Sequence, residues 1–269
     1  GRTGFEHARP AKTPLPHGFT PLSAPVGGST SDRPLDFPHA LGLLGWLKHV
    51  RPGLAFTHGV LSTVAVPSRA LPQAPMLAHR QGLRQTLRYL SGTRRRGLIF
   101  DGAQDLLPVF WKDANFAREL HGTAHGAQAR SRSGYIGLSC GACIASASKR
   151  QTATALATPE SELFALMLCT RVVIAVRRLY EFMLTCTLPP TVIYEDNATV
   201  IAQLADRDLS GRTRHQHVQK GFIIDAVDAG ELVIVWRETS RMVADITTKM
   251  DVATFQLFDD YISGYSSTL

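Results

Sequence analysis

Apolar and polar residues follow two different patterns along the chain, which predict a helical N-terminal part before a mixed α/β part. Residues 1–36 are rich in Pro, Gly, Ser and Thr and show little periodicity. We therefore expect an extended or poorly ordered lead-in that contributes no core. Apolar residues then recur at nearly helical spacing. This spacing predicts three helices, at residues 38–50, 54–64 and 75–90.

Short apolar and β-branched runs, which are typical of strands, begin after residue 96. They predict strands at residues 97–100, 106–111, 134–139, 143–147, 192–194 and 231–236. Helical spacing predicts further helices at residues 160–184, 197–204, 218–229 and over most of 243–262. Gly141 lies between two of the strands and indicates a hairpin turn. This order of elements predicts an α/β fold built on a mixed sheet.

Positive charge is concentrated in the first 100 residues. That part contains 13 Lys and Arg against 3 Asp and Glu, a formal charge of +10, whereas residues 101–269 contain 16 against 19, a charge of −3. Arginines lie on one face of the predicted helix at 75–90 and directly after it, at Arg80, Arg84, Arg88, Arg94, Arg95 and Arg96. A basic surface of this kind indicates a polyanionic partner. It is equally compatible with a solvated surface, so charge alone leaves both open.

Composition excludes several classes of protein. The chain has 269 residues, of which 44% are hydrophobic and 19% charged, as in an ordinary globular protein. It has no apolar run of membrane-spanning length and no signal-peptide pattern, and its four cysteines are too few for a disulfide scaffold. We expect a soluble intracellular protein with no membrane partner. Cys140 and Cys143 form a CxxC pattern at the predicted hairpin, where a structural turn is favoured over a redox pair or half a zinc site.

Four acidic residues lie at the ends of predicted strands and the starts of predicted helices. Asp113 follows an apolar stretch, Glu162 lies in the first turn of the helix at 160–184, Asp196 ends a strand, and Asp245 starts the last helix. Such positions meet at one edge of a sheet. Carboxylates gathered there repel one another unless divalent cations neutralise them, and hard oxygen ligands favour Mg²⁺ or Mn²⁺. Two such ions about 4 Å apart would support phosphodiester hydrolysis.

Each acid also has a purely structural explanation. Glu162 and Asp245 would interact favourably with helix N-termini through the macrodipole, and Asp196 could cap the helix that starts at Asn197. Period-2 alternation places Asp196 on one face of its strand end and Glu195 on the other, where we expect Glu195 to be solvated. From the residues alone, both explanations of the acids stay open.

Five motifs carry a resemblance that separates these alternatives. They are FWKDANFA (110–117), SRSGYIGL (131–138), SASKRQTATALATPESELFAL (146–166), VIYEDNATVIAQL (192–204) and SRMVADITTK (240–249). In order and spacing they resemble the ribonuclease H domain of copia-type LTR retrotransposon Pol polyproteins. The stretches KTPLPHG, LGLLGWLKHVRPGLAFTHGVLS and LRQTLRYLSGTRRRGLIF resemble the segment that joins reverse transcriptase to that domain. The resemblance covers roughly residues 10–250.

The resemblance implies a ribonuclease H-like fold, with a mixed five-stranded sheet flanked by helices at 101–269 and a small basic helical connection region at 37–100. It implies cleavage of the RNA strand of RNA–DNA hybrids with two Mg²⁺ ions, for which Mn²⁺ could substitute. The family's catalytic and metal-binding acids fall on Asp113, Glu162, Asp196 and Asp245. Glu162 is selected over Glu160 because Leu-Phe-Ala follows it. Besides the six arginines above, the expected nucleic-acid contacts are Lys149, Arg150, Arg212 and Arg214.

Some positions depart from the family. Asn115 and Phe116 replace a usual Asp-Trp, Gly221 replaces a usual His, and Gly53 replaces a usual Asp. These departures leave an alternative open, a catalytically inactive relic that binds nucleic acid through its basic N-terminal half. We expect no DNA synthesis by this chain alone, and the palm domain of the parent polyprotein as a partner. The expected location is intracellular, in a cytoplasmic retrotransposon particle or in the nucleus.

Overall fold

A five-stranded mixed sheet lies at the centre of the computed structural model, which describes residues 9–17, 19, 36–64, 77–121, 128–207 and 216–269. The strands are β1 (Val109–His121), β2 (Gln128–Ser139), β3 (Ala142–Arg150), β4 (Thr191–Glu195) and β5 (Leu232–Trp236). Their order is β3-β2-β1-β4-β5. The first three strands are antiparallel, and β4 and β5 run parallel to β1. The expected mixed five-stranded sheet is thus confirmed.

Helices cover both faces of this sheet. They are α1 (Phe37–Leu47), α2 (Ala55–Leu61), α3 (Leu77–Gly92), α4 (Thr158–Leu184), α5 (Ala198–Ala205), α6 (His217–Asp228) and α7 (Val252–Ile262). One face packs against α4, α5 and α6 around a core that contains Phe110 and Ile193. The other face packs against α7 and the N-terminal helices around a core that contains Trp111 and Ile136. No helix within the described ranges is long and apolar enough to cross a membrane.

The turn between β2 and β3 is the tight hairpin expected at Gly141. Cys140 and Gly141 have φ angles of 48° and 76°, as the two central residues of a hairpin with the twist of its strands require. Cys140 and Cys143 are both free thiols, and burial raises the pKa of Cys143 to about 12. Cys140 is thus part of the predicted turn, and Cys143 lies at the start of β3.

Three predicted elements differ in the structure. Residues 97–100 form no strand, because the Ile99 amide bonds to the Ser263 carbonyl of the C-terminal segment (2.9 Å) rather than to a neighbouring strand. The strand predicted at 106–111 begins at Val109 and continues through polar residues to His121. The last predicted helix is divided into a 3-10 segment, Val243–Thr247, and α7.

The lead-in contributes to the core, so the expectation that it would not was wrong. Leu15 is completely buried in the core that also contains Leu83 of α3. The Thr86 hydroxyl donates to the Pro14 carbonyl (3.0 Å) and the Gln85 amide to the Thr13 carbonyl (3.2 Å). Residues 9–17 form neither helix nor strand. Side chains of α3 donate hydrogen bonds to backbone carbonyls of this segment, which holds Leu15 against the helix.

A buried polar network joins the helical region to α7. The Tyr89 hydroxyl donates to Asp259 Oδ2 (2.9 Å), and Arg51 donates to the Tyr89 hydroxyl (3.2 Å). Arg96 pairs with Asp259 (3.4 Å) and with Asp260. The charge of Arg96, one of the expected nucleic-acid contacts, is therefore balanced within the protein. Whether the helical region is a domain separate from the sheet stays a prediction.

Candidate active site

Asp113 lies on β1, two residues after Trp111 at the end of an apolar run, and on the sheet face that carries Trp111. The residue is only 6% exposed, and its carboxylate accepts a hydrogen bond from the Thr248 hydroxyl. Thr248 follows the Val243–Thr247 segment, which packs against β1 and β2. The side chain is therefore held by a residue about 135 positions away, which no local pattern could indicate.

Gly134 permits this close approach. It pairs with Asp113 across the β1–β2 ladder. A Cβ at this position would overlap Thr247 Oγ1 and lie 2.8 Å from Thr248 Cγ2. The 3-10 segment thus rests directly on the sheet backbone, which brings the Thr248 hydroxyl to Asp113.

Gly134→Ala is expected to destabilise the fold by about 1–3 kcal/mol, because the added methyl overpacks a buried contact. Gly42→Ala is the matched control, since Gly42 lies exposed within α1 and nothing lies within 4 Å of its added Cβ. In that helix alanine is expected to raise the unfolding free energy by up to about 1 kcal/mol. Urea unfolding followed by circular dichroism measures both, and equal unfolding free energies for the two variants would contradict this description of Gly134.

Glu162 lies on α4 and is 5% exposed. Because α4 begins at Thr158, Glu162 is in the second turn rather than the first, which corrects the sequence expectation. The first turn contains Glu160, whose carboxylate accepts a hydrogen bond from the Leu156 amide (2.6 Å). The distinction between the two acids is therefore visible in their contacts, since Glu160 serves the helix start and Glu162 faces the sheet edge near Asp113.

Asp196 directly follows β4 and is half-buried. Its Oδ2 atom accepts a hydrogen bond from the Thr239 hydroxyl (2.9 Å). The cap of α5 is Asn197, which accepts from the amides of Thr199 (3.0 Å) and Val200 (3.3 Å). The alternative that Asp196 caps this helix is thus wrong, and its carboxylate is available for another role.

The structure brings three of the four predicted acids together. One carboxylate oxygen each from Asp113, Glu162 and Asp196 lie within 4.8 Å of one another. Asp245 lies in the 3-10 segment, 8% exposed, and pairs with Lys249 (2.7 Å). Burial raises the pKa of Asp245 to about 7, and the charges of Asp113 and Asp196 contribute to the shift. Asp245, the fourth acid, therefore lies close enough to the cluster for the charges of Asp113 and Asp196 to raise its pKa.

Sequence reasoning missed two charged residues beside the cluster. The Lys112 ammonium is completely buried, 2.7 Å from Glu162 Oε2 and 2.5 Å from Glu195 Oε2. Glu195 is also completely buried, so the expectation that it is solvated was wrong. The predicted alternation was correct, but the face of β4 opposite Asp196 is the one that carries Ile193 and faces the core formed with α4, α5 and α6. The sequence signal for this pair would have been the opposite charges of Lys112 and Glu195 on adjacent strands. Because Phe110 of β1 pairs with Ile193 of β4, each charged residue lies two positions after a paired residue.

The charges and donor atoms of this site fit a hard divalent cation. Within the described ranges, the five carboxylates of the four predicted acids and Glu195 form ion pairs with two ammonium groups, those of Lys112 and Lys249. Burial raises the pKa of Glu162 to about 8, although Lys112 acts in the opposite direction. Asp245 Oδ1 is buried without a hydrogen-bond partner among the described residues. Oxygen donors with excess negative charge are the ligands that Mg²⁺ and Mn²⁺ prefer.

The predicted nucleic-acid contacts differ in their availability. Lys149 and Arg150 are exposed at the end of β3, and Arg80, Arg94 and Arg95 are exposed on and after α3. Arg84 and Arg88 are partly buried, and Arg88 donates to the Arg9 carbonyl (2.7 Å). Arg212 and Arg214 lie outside the described residues. The role of all these residues in nucleic-acid binding stays a prediction.

The chain is similar to two transposon Pol polyproteins and, over part of its length, to a secreted effector protein. It is 26% identical over 259 residues to the "Retrovirus-related Pol polyprotein from transposon RE1" of Arabidopsis thaliana, a match that covers 96% of this chain and 17% of that protein. It is 27% identical over 255 residues to the corresponding polyprotein from transposon TNT 1-94 of Nicotiana tabacum, with 93% and 18% covered. Over 128 residues it is 36% identical to the "Secreted RxLR effector protein 161" of Plasmopara viticola, with 47% and 81% covered.

About half of the chain is similar to solved structures of a ribonuclease H. LC11-RNase H1, isolated from compost by a metagenomic approach, matches 53% of this chain and 93% of its own, with a TM-score of 0.39 and 14% identity. The same enzyme in complex with an RNA/DNA hybrid gives a TM-score of 0.38 and 14% identity, with 52% and 93% covered. No protein-family model matches the chain.

The strand order, the strand directions and the acids at one sheet edge define an α/β protein with the ribonuclease H-like fold, which confirms the expected fold class. Over most of its length the chain is similar to retrovirus-related Pol polyproteins from plant transposons. It spans about 17–18% of the length of the two plant polyproteins that it matches.

Proposed function

We propose that the chain cleaves the RNA strand of RNA–DNA hybrids endonucleolytically, with divalent cations, as the C-terminal part of a retrotransposon Pol polyprotein. The observation that carries this proposal is the cluster of Asp113, Glu162 and Asp196, whose oxygens lie within 4.8 Å in a chain related to Pol polyproteins over most of its length. The nearby Asp245 is the fourth proposed ligand. A lone acid at a strand end would not support the same conclusion.

The residues around the cluster prepare it to hold cations. Thr248 and Thr239 donate to Asp113 and Asp196, so these carboxylates keep their orientation, and Lys249 does the same for Asp245. We propose two Mg²⁺ ions at the site, with Mn²⁺ as a substitute. When bound, such ions lower the pKa of a coordinated water and stabilise the charge that develops on the phosphate.

Exposed basic residues are proposed to hold the nucleic acid by its phosphates. Lys149 and Arg150 extend from β3, and Arg94 and Arg95 follow α3. Contacts to phosphates and 2′-hydroxyls suit a hybrid, because A-form-like grooves hide the base edges. The expected partners are therefore the hybrid and the palm domain of the parent polyprotein, in a cytoplasmic particle or in the nucleus.

Two departures from the family have specific contacts in this structure, which argues for an active site over an inactive relic. Asn115 donates its side-chain amide to the Thr248 carbonyl (3.1 Å), a bond that the usual Asp could not donate. A Cβ at Gly53 would overlap Asp259 Oδ1, so the carboxylate of Asp259 fills the space beside the position where the family usually has Asp. Neither replacement removes one of the four acids.

The test is a strand-resolved cleavage assay. The purified chain is incubated with Mg²⁺ and an RNA–DNA hybrid that carries a different label on each strand, and with an RNA duplex and a DNA duplex of the same sequence. The proposal expects internal cuts in the RNA strand of the hybrid alone. Salt-dependent binding to the hybrid without hydrolysis would instead favour the relic, and binding that ignores salt would argue against a nucleic-acid function.

A further inference from the structure

Lys112 and Glu195 form a completely buried ion pair beside the acidic cluster. The Lys112 ammonium lies 2.5 Å from Glu195 Oε2 and 2.7 Å from Glu162 Oε2. Glu195 Oε1 accepts a hydrogen bond from the backbone amide of Asn197 (2.9 Å), the residue that caps α5. A continuous series of contacts thus runs from the start of α5 through the two strands to Glu162 on α4.

Glu162 differs from the other clustered acids in how it reaches the site. Asp113 lies on β1 and Asp196 directly follows β4, both on one face of the sheet. Glu162 lies on α4, which covers the opposite face. Glu162 must therefore be held against the sheet edge, and among the contacts of the described residues Lys112 is its hydrogen-bond donor. Lys112 uses Oε2, and the cluster requires one oxygen from each acid. Lys112 therefore contacts one of the two carboxylate oxygens of Glu162.

We propose that Lys112 and Glu195 are positioning residues, which hold the Glu162 carboxylate where it binds the divalent cation. This inference rests on the proposed function, because it takes the acidic cluster to be a metal site. Removing a partner that orients a metal ligand typically lowers metal affinity about 10–100-fold. A purely structural ion pair would lower stability and leave the metal affinity of the folded protein unchanged.

The experiment measures Mn²⁺ binding to the full chain by isothermal titration calorimetry, after removal of metal with a chelator. The decisive variant combines Lys112→Met with Glu195→Gln, which deletes the pair and leaves the net charge unchanged. We expect its Mn²⁺ affinity to fall about 10–100-fold. The matched control combines Arg207→Met with Asp228→Asn, which deletes an exposed ion pair (2.6 Å) outside the cluster and is expected to bind Mn²⁺ as the wild type does.

Glu195→Asp decides the question should the double variant not fold. It keeps every charge but shortens the side chain by one methylene, so it cannot reach both Asn197 and Lys112, and its Mn²⁺ affinity is expected to fall in the same direction. Wild-type affinity in a folded pair variant would overturn the positioning role and leave the proposed function standing. Absence of Mn²⁺ binding in the wild type would overturn both.

Discussion

Asp196→Asn is expected to abolish RNA-strand cleavage and to leave the fold intact. Asparagine has nearly the same shape and can still accept the Thr239 hydroxyl, but it removes one negative charge from the cluster with Asp113 and Glu162. Loss of a metal ligand removes several kcal/mol of transition-state stabilisation, and about 4 kcal/mol corresponds to a 10³-fold lower rate. The measurement is the single-turnover rate of hybrid cleavage in Mg²⁺.

Stability separates this effect from misfolding. Removing one of several mutually repelling carboxylates is expected to leave the unfolding free energy of the metal-free protein at the wild-type value or to raise it. Asp206→Asn is the matched control, because Asp206 is exposed at the end of α5, outside the cluster. If Asp196→Asn cleaves the hybrid as fast as Asp206→Asn, Asp196 is not part of the active site.

Lys112→Met is expected to have the largest effect on stability, a loss of about 3–5 kcal/mol. The substitution leaves the carboxylates of Glu162 and Glu195 buried near each other without a counter-charge. Urea unfolding in the presence of a chelator measures this loss without a contribution from bound metal.

Two comparisons test the cause of that loss. Lys149→Met removes the same charge from an exposed position and is expected to change the unfolding free energy by less than about 0.5 kcal/mol. Adding Glu195→Gln to Lys112→Met removes one of the two uncompensated charges and is expected to restore part of the lost stability. Equal unfolding free energies for Lys112→Met and Lys149→Met would show that the buried pair contributes nothing to the fold.

Periodicity predicted most of the fold but not the elements that depend on distant contacts. The helices of the basic region and the hairpin at Gly141 follow patterns within a few residues of chain. The polar continuation of β1 after Trp111 does not, because Lys112 and Asp113 lie at the site and carry charge where an ordinary strand would be apolar. Residues 97–100 have the apolar pattern of a strand, but their backbone bonds to the C-terminal segment instead.

The acids of the site could be named from the sequence only through the family resemblance, because local patterns explain Glu162 and Asp245 as macrodipole contacts and Asp196 as a helix cap. The structure decides between these explanations at Asp196, where Asn197 is the cap. Lys112 and Glu195 were missed because charged residues at strand ends are ordinarily solvated. Lys112 lies on the sheet face that packs against α4, a helix that begins about 45 residues later in the chain, so its burial depends on tertiary packing.

Cleavage of the doubly labelled RNA–DNA hybrid by the wild-type chain, with Mg²⁺ and then with a chelator, tests most directly that the acidic cluster is a metal-dependent nuclease site. We expect internal cuts in the RNA strand with Mg²⁺, and none with the chelator or with Asp196→Asn. A folded wild-type chain that binds Mn²⁺ and the hybrid, yet cuts no faster than Asp196→Asn, would contradict the proposed activity.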